Sequence, residues 1–202
     1  MGLGNPGRPY QQTRHNVGFR VVEVLARRWK LQGGRRAFSG RLGDARISRP
    51  GSESRRVMLL EPHTYMNRSG QAVGALAAFY RIAREDILVV LDDMALPVGR
   101  LRIRAGGTSG GHKGLADVLA AMGTTELPRL RIGIGSPPPM MAGVDYVLTP
   151  FEAQEKEAIE QAIELAAQAA EDWVFDGIDV VMEKYNRRAE TEKQNEREET
   201  DV

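Results

Sequence analysis

Five apolar residues in a row, Ile87 to Leu91, run straight into two aspartates, Asp92 and Asp93. A run this short and this apolar reads as a strand buried on both faces. Such a strand needs cover above and below, which commits the chain to a sheet with helices on either side. The spacing elsewhere agrees. Asn16 to Trp29 carries Val17, Val21, Val24, Leu25 and Arg28 at helical intervals, with Arg27, Arg28 and Lys30 loading its last turn and Gly33-Gly34 ending it. Arg41 to Ile47 and Val57 to Leu60 read as strands joined through an Arg49-Pro50-Gly51-Ser52 turn. Ser69 is placed to cap a helix over Gly70 to Tyr80. Leu101 to Arg104 and Arg129 to Ile134 alternate as strands do. Leu115 to Met122 is a short helix, and Glu152 to Trp173 is an amphipathic one. Strands and helices alternate along the chain, so the class is α/β: a single domain with one mixed sheet flanked by helices.

Composition narrows the chemistry. The 202 residues suit one ordinary domain, and the absence of cysteine excludes a disulfide framework, a thiolate metal site and a cysteine nucleophile. The apolar runs are too short to span a bilayer, and no secretory signal pattern opens the sequence, so a cytoplasmic location is expected. The net charge of +1 hides a dipole. Residues 1–60 carry 13 basic and 3 acidic side chains, and residues 151–202 carry 6 and 16. A basic face can meet a polyanion while an acidic flank stays in solvent, although an uneven soluble surface has the same composition. The charged stretch 187–202 has almost no apolar residue and reads as a disordered tail or a frayed helix extension, leaving a domain over residues 1–186.

Three histidines exist: His15, His63 and His112. None has the i, i+4 spacing of a zinc-binding helix, so no metal site is expected. Asp92 stands where α/β sheets bind ligands, beyond the carboxyl end of a strand, and can orient a histidine and stabilise its protonated form; Asp93 competes for that role. The loop Gly106-Gly107-Thr108-Ser109-Gly110-Gly111 is either a phosphate cradle or a set of tight turns. It is not a Walker loop, because His112 stands where lysine is needed. Asn5, Asn16 and Asn67 are either turn residues or uncharged amides able to hold a carbonyl or orient water. From the residues alone, the reading is an α/β hydrolytic site with a His-Asp pair.

The motifs together are more specific. Gly2-Leu3-Gly4-Asn5-Pro6-Gly7, Tyr10 and Thr13-Arg14-His15-Asn16-Val17-Gly18-Phe19 open the chain. Pro62-His63-Thr64-Tyr65-Met66-Asn67-Arg68-Ser69-Gly70, Asp92-Asp93, Leu96-Pro97 and Gly99 follow. Ser109-Gly110-Gly111-His112-Lys113-Gly114-Leu115, Arg129 to Gly135, and Tyr146-Val147-Leu148 with Phe151 complete the series. In this order they resemble bacterial-type peptidyl-tRNA hydrolase over residues 1 to about 186. The resemblance implies the phosphorylase/hydrolase-like fold of that family, and hydrolysis of the ester between a peptide and the tRNA 3′ ribose, by a monomer needing no metal or other cofactor. It implies His15 as general base, Asp92 as its orienting partner, and Asn5 and Asn67 at the scissile ester. Tyr10, Met66, His112 and Lys113 would be further substrate contacts, and Arg102, Arg104 and Arg131 phosphate contacts. Peptidyl-tRNA is then the partner, with no membrane involved. A non-catalytic RNA-binding relative is the alternative, and retention of the base argues against it.

Two departures stand out. Lys113 replaces the asparagine usual after the glycine-loop histidine. The first, central strand expected before the glycine loop is truncated, and the expectation is a natural start a few codons upstream of Met1.

Overall fold

The computed structural model describes residues 1–31 and 33–200, with side chains described as far as Asn186. The expectation for the tail at 187–202 falls outside those side chains.

Strand β1 (Arg35–Ala37), β2 (Gly40–Ile47) and β3 (Arg55–Pro62) form an antiparallel sheet in the order β1-β2-β3. Strands β4 (Val89–Asp93), β5 (Leu101–Arg104) and β6 (Arg129–Gly133) form a second, in the order β4-β6-β5, with β4 parallel and β5 antiparallel to β6. The helices are α1 (Val17–Arg28), α2 (Ser69–Tyr80), α3 (Lys113–Met122), the short α4 (Gly143–Tyr146) and α5 (Lys156–Thr200), the last broken at Gly177, where φ is 81°.

The α/β class holds, but the one mixed sheet of the sequence reading is two three-stranded sheets. Met1 to Leu3 lies between them. The Gly2 N–H donates to Leu60 O of β3 at 3.1 Å, while Leu3 N–H donates to Val90 O and Val90 N–H to Met1 O of this segment at 2.8 and 2.9 Å. The seam between the sheets is therefore as short as this segment. The Met1 ammonium donates to Leu88 O at 2.7 Å, and burial pushes it down from 8.0 to about 5. Below it lies a cavity of about 970 Å³ whose walls include Met1, Trp29, Val57, Leu76, Leu88 and Trp173. The Trp29 indole N–H is buried there without a hydrogen-bond partner among the described residues.

The strand predicted from Ile87 to Leu91 is covered on both faces, as its composition demands. Leu88 and Val90 pack with α1 and α5, while Ile87, Val89 and Leu91 pack with α2 and α3. The strand itself starts two residues late and includes Asp92 and Asp93. Ser69 does not cap α2: its hydroxyl donates back to Met66 O at 2.9 Å, and Asp117 of α3 accepts the Gly70 N–H at 2.7 Å. Strand β1 escaped the sequence reading because its turn is made by Phe38 and Ser39, at φ 51° and 53°, with no glycine to mark it. Helix α1 approaches the sheet closely enough that a Cβ on Gly18 would lie 2.5 Å from Leu3 O and from Val90 O. Glycine there brings the start of α1, and the residues just before it, against the end of β4.

Candidate active site

The turn Arg14–Asn16 delivers His15 to the carboxyl end of β4, and its backbone is held through two successive N–H groups. Arg14 N–H donates to Thr149 O and His15 N–H to Val147 O, each at 2.9 Å. The Arg14 side chain is buried between the Tyr146 and Phe151 rings, bonds Glu155 through both terminal nitrogens, and donates to Ile134 O at 3.0 Å. A histidine fixed this firmly in its backbone needs only its ring oriented.

Asp92 orients it. His15 Nδ1 lies 2.8 and 2.9 Å from the two Asp92 oxygens, and His112 Nε2 lies 3.0 Å from Oδ1. The tautomer of His112 follows from its other nitrogen: Nδ1 accepts the Leu115 N–H at 3.1 Å, so Nε2 carries the proton and donates to Asp92. Burial alone would raise the Asp92 carboxyl. The attraction and hydrogen bonds of His112 and His15 outweigh it and hold the group well below the usual carboxylate range. An ionised Asp92 accepts the His15 Nδ1–H, which leaves Nε2 of His15 as the unprotonated nitrogen. Asp92, rather than Asp93, is the histidine's partner. Asp93 accepts the Ala95 N–H at 2.9 Å and faces Arg131 at 2.9 Å.

Asn5 is tied to Asn16, the residue that follows His15, and to the loop before α2. Its Oδ1 accepts the Met66 N–H at 2.9 Å, which fixes the amide's direction and leaves Nδ2 as its free donor among the described residues. Asn16 holds the Asn5 backbone, accepting its N–H at 2.9 Å and donating to its carbonyl at 3.0 Å. Asn16 is the residue that sequence reasoning left undecided. Its only sequence signal was its place directly after His15.

The remaining candidates divide. Met66 is buried, its backbone bonded to Asn5, and a Cβ on Gly114 would lie 2.3 Å from its sulfur, so the loop before α2 is packed against the start of α3. Tyr10 is half-buried, while Asn67 and Lys113 are exposed. His112 has both ring nitrogens engaged within the protein, by Leu115 and Asp92. Arg102 and Arg131 are direct cross-strand partners, with Arg104 opposite Arg129. Arg129 is buried and donates to the carbonyls of Gly107, Thr108, Thr125 and Leu127, which pins the glycine loop from within. That loop is therefore a braced turn leading to His112. Arg131 is tied to Asp93, and Arg102 and Arg104 are exposed. Among the described residues, one group could hold a metal ion: His15, Asp92 and His112, with donor atoms within 4.8 Å of one another. A cation there would have to displace the protons that now join both rings to Asp92.

A histidine held by a buried carboxylate, with a fixed amide donor tied to the residue that follows it and on an α/β scaffold, is the equipment of a hydrolytic enzyme. A family model described as peptidyl-tRNA hydrolase matches residues 1–195. The chain is 46% identical over 186 residues to a peptidyl-tRNA hydrolase of Symbiobacterium thermophilum, covering 92% of this chain and 97% of that one. It is 44% identical over 191 residues to one of Rhodopirellula baltica, covering 95% and 98%. The crystal structure of peptidyl-tRNA hydrolase from Acinetobacter baumannii superposes with a TM-score of 0.83 at 38% identity, covering 92% of each chain. The chain belongs to the peptidyl-tRNA hydrolase family.

Proposed function

We propose that this protein hydrolyses the ester joining the peptide to the tRNA 3′ ribose in peptidyl-tRNA, with His15 as general base. The observation that carries this reading is the bonding of His15 Nδ1 to both oxygens of buried Asp92, which leaves Nε2 to take a proton from water. The activated water attacks the ester carbonyl carbon. Negative charge gathers on the carbonyl oxygen, where the free Nδ2 donor of Asn5 and the exposed amide of Asn67 can meet it. As the tetrahedral centre collapses, the C–O bond to the ribose breaks, and the proton held by His15 passes to the departing 3′ oxygen. Asp92 stabilises the transient imidazolium throughout. His112 acts through Asp92, as a second donor that keeps the carboxylate fixed. Tyr10, Met66 and Lys113 border the path of the 3′ end. Arg102 and Arg104, with Arg131 behind them, offer positive charge to the RNA backbone.

We further propose that the protein works as a monomer in the cytoplasm and that residues 1–186 form its catalytic domain. Among the described residues no helix is long and apolar enough to cross a membrane. Release of the acyl group from N-acyl-aminoacyl-tRNA tests the reaction. His15→Ala should lose about 10²- to 10⁴-fold in kcat, and unchanged turnover would remove His15 from the role of base.

A further inference from the structure

Asn16 is 2% exposed, and among the described residues its side-chain amide bonds one other residue, accepting from it and donating to it. Its Oδ1 takes the Asn5 N–H and its Nδ2 gives to the Asn5 carbonyl, at 2.9 and 3.0 Å. The amide thus does for Asn5 what a neighbouring strand does for Gly2 and Leu3. Those residues pair with β3 and β4, and at Asn5 the side chain of Asn16 takes over. Only a residue with one acceptor and one donor at this spacing can close the ring. Aspartate lacks the donor, and alanine would leave both buried backbone groups unpaired. The Asn5 side chain is in turn held by the Met66 N–H, so its Nδ2 direction depends on a backbone that Asn16 fixes.

We propose that Asn16 is a positioning residue for the reaction: it locks the segment carrying the base, His15, to the segment carrying the amide donor, Asn5, and so sets where Asn5 Nδ2 points. This rests on the role given to Asn5 above. Asn16 is buried and acts through Asn5. A transition-state donor aimed by Asn16 should lose its effect in kcat, with substrate binding largely kept.

The test is a double-mutant cycle on N-acyl-aminoacyl-tRNA, using Asn5→Ala, Asn16→Ala and the double variant, with kcat and KM measured separately and folding checked by thermal melting. Loss of the Asn5 donor should cost about 10²-fold in kcat. Asn16→Ala should cost about tenfold in kcat with KM within about twofold, and should cost less than about twofold more when Asn5 is already alanine. Asn16→Asp, which keeps the acceptor, serves if the alanine variant does not fold, and should show the same coupling to Asn5. Equal losses from the Asn16 substitution in both backgrounds, or a loss confined to KM, would overturn the proposal while leaving Asn5 in place. Full activity of Asn5→Ala would overturn the reading of Asn5 and this proposal with it.

Discussion

Asp92 accepts from two imidazoles at once, and a carboxylate is the one small side chain that can do so without offering a proton of its own. This sets the prediction for Asp92→Asn. The amide keeps the volume but puts an NH2 group where one oxygen was, and because His15 Nδ1 lies 2.8 and 2.9 Å from the two positions, its N–H would face an N–H donor in either orientation. Relief comes most simply if His15 moves its proton to Nε2, which ends its function as base. Asp92→Asn should therefore lose about 10²- to 10⁴-fold in kcat with little change in KM, measured on the same ester substrate. A loss of only a few-fold would mean that His15 keeps its tautomer without the carboxylate. At this scale the sequence was readable in part. His15, Asp92 and Asn5 stand out by motif, and the structure joins His15 directly to Asp92 and Asn5 to Asn16, the residue after His15. That Asp92, not Asp93, meets the histidine depends on which way each side of β4 faces. That His112 is a partner of Asp92 depends on a Leu115 N–H three residues on. Neither relation has a sequence signal of its own.

The elements place these residues through close backbone approaches. Gly18 sits where α1 crosses the Met1–Leu3 segment and β4, and an added methyl would collide with two carbonyl oxygens at 2.5 Å. Both are main-chain atoms and cannot swing aside. Gly18→Ala should destabilise the fold by about 3 kcal/mol and should lower activity further by drawing the His15 turn away from Asp92. Thermal unfolding and turnover at a temperature where the variant is folded check the two effects separately. Strand β5 makes a second prediction. Leu101 and Ile103 are buried and Arg102 and Arg104 exposed, so the alternation read from the sequence also sets the charged side chains on one face. Replacing both arginines by glutamine should weaken substrate binding and flatten its dependence on salt. An unchanged slope of log affinity against log salt would separate these residues from the RNA. The sequence showed the long periodic helices and the alternating strands well. It missed β1, whose turn has no glycine, and assigned the α2 cap to Ser69, because the actual acceptor, Asp117, comes from another helix.

For the whole molecule, the N-terminal segment couples charge to stability. The Met1 ammonium is pushed from 8.0 in the open chain to about 5 in the folded one. Between these values the unfolded chain binds a proton that the folded chain refuses. Stability of the 202-residue chain should therefore be highest above pH 8 as far as this group is concerned, decline as pH falls toward 5, and then level off. The decline attributable to this group is up to about 4 kcal/mol. Chemical unfolding across that range, compared with an N-acetylated form that has no ammonium to titrate, measures it; identical pH profiles for the two forms would count against it. The charge asymmetry read from composition bears on function at the same scale. A basic first third opposed to an acidic last quarter is compatible with binding a polyanion despite a net charge of +1.

The sequence by itself determined the α/β class, because hydrophobic spacing is a local property that a strand or helix must satisfy wherever it ends up. Its ordered motifs determined the family as well, and residues 1–195 match it. Only the tertiary structure decided the split of the sheet around Met1–Leu3, the choice of Asp92 over Asp93, the engagement of His112, and the pairing of Asn16 with Asn5. An amide, an imidazole or a carboxylate has the same bonding capacity in every sequence. What it does is settled by which donors and acceptors folding brings within about 3 Å, and for the His15 imidazole that is a carboxylate 77 residues away.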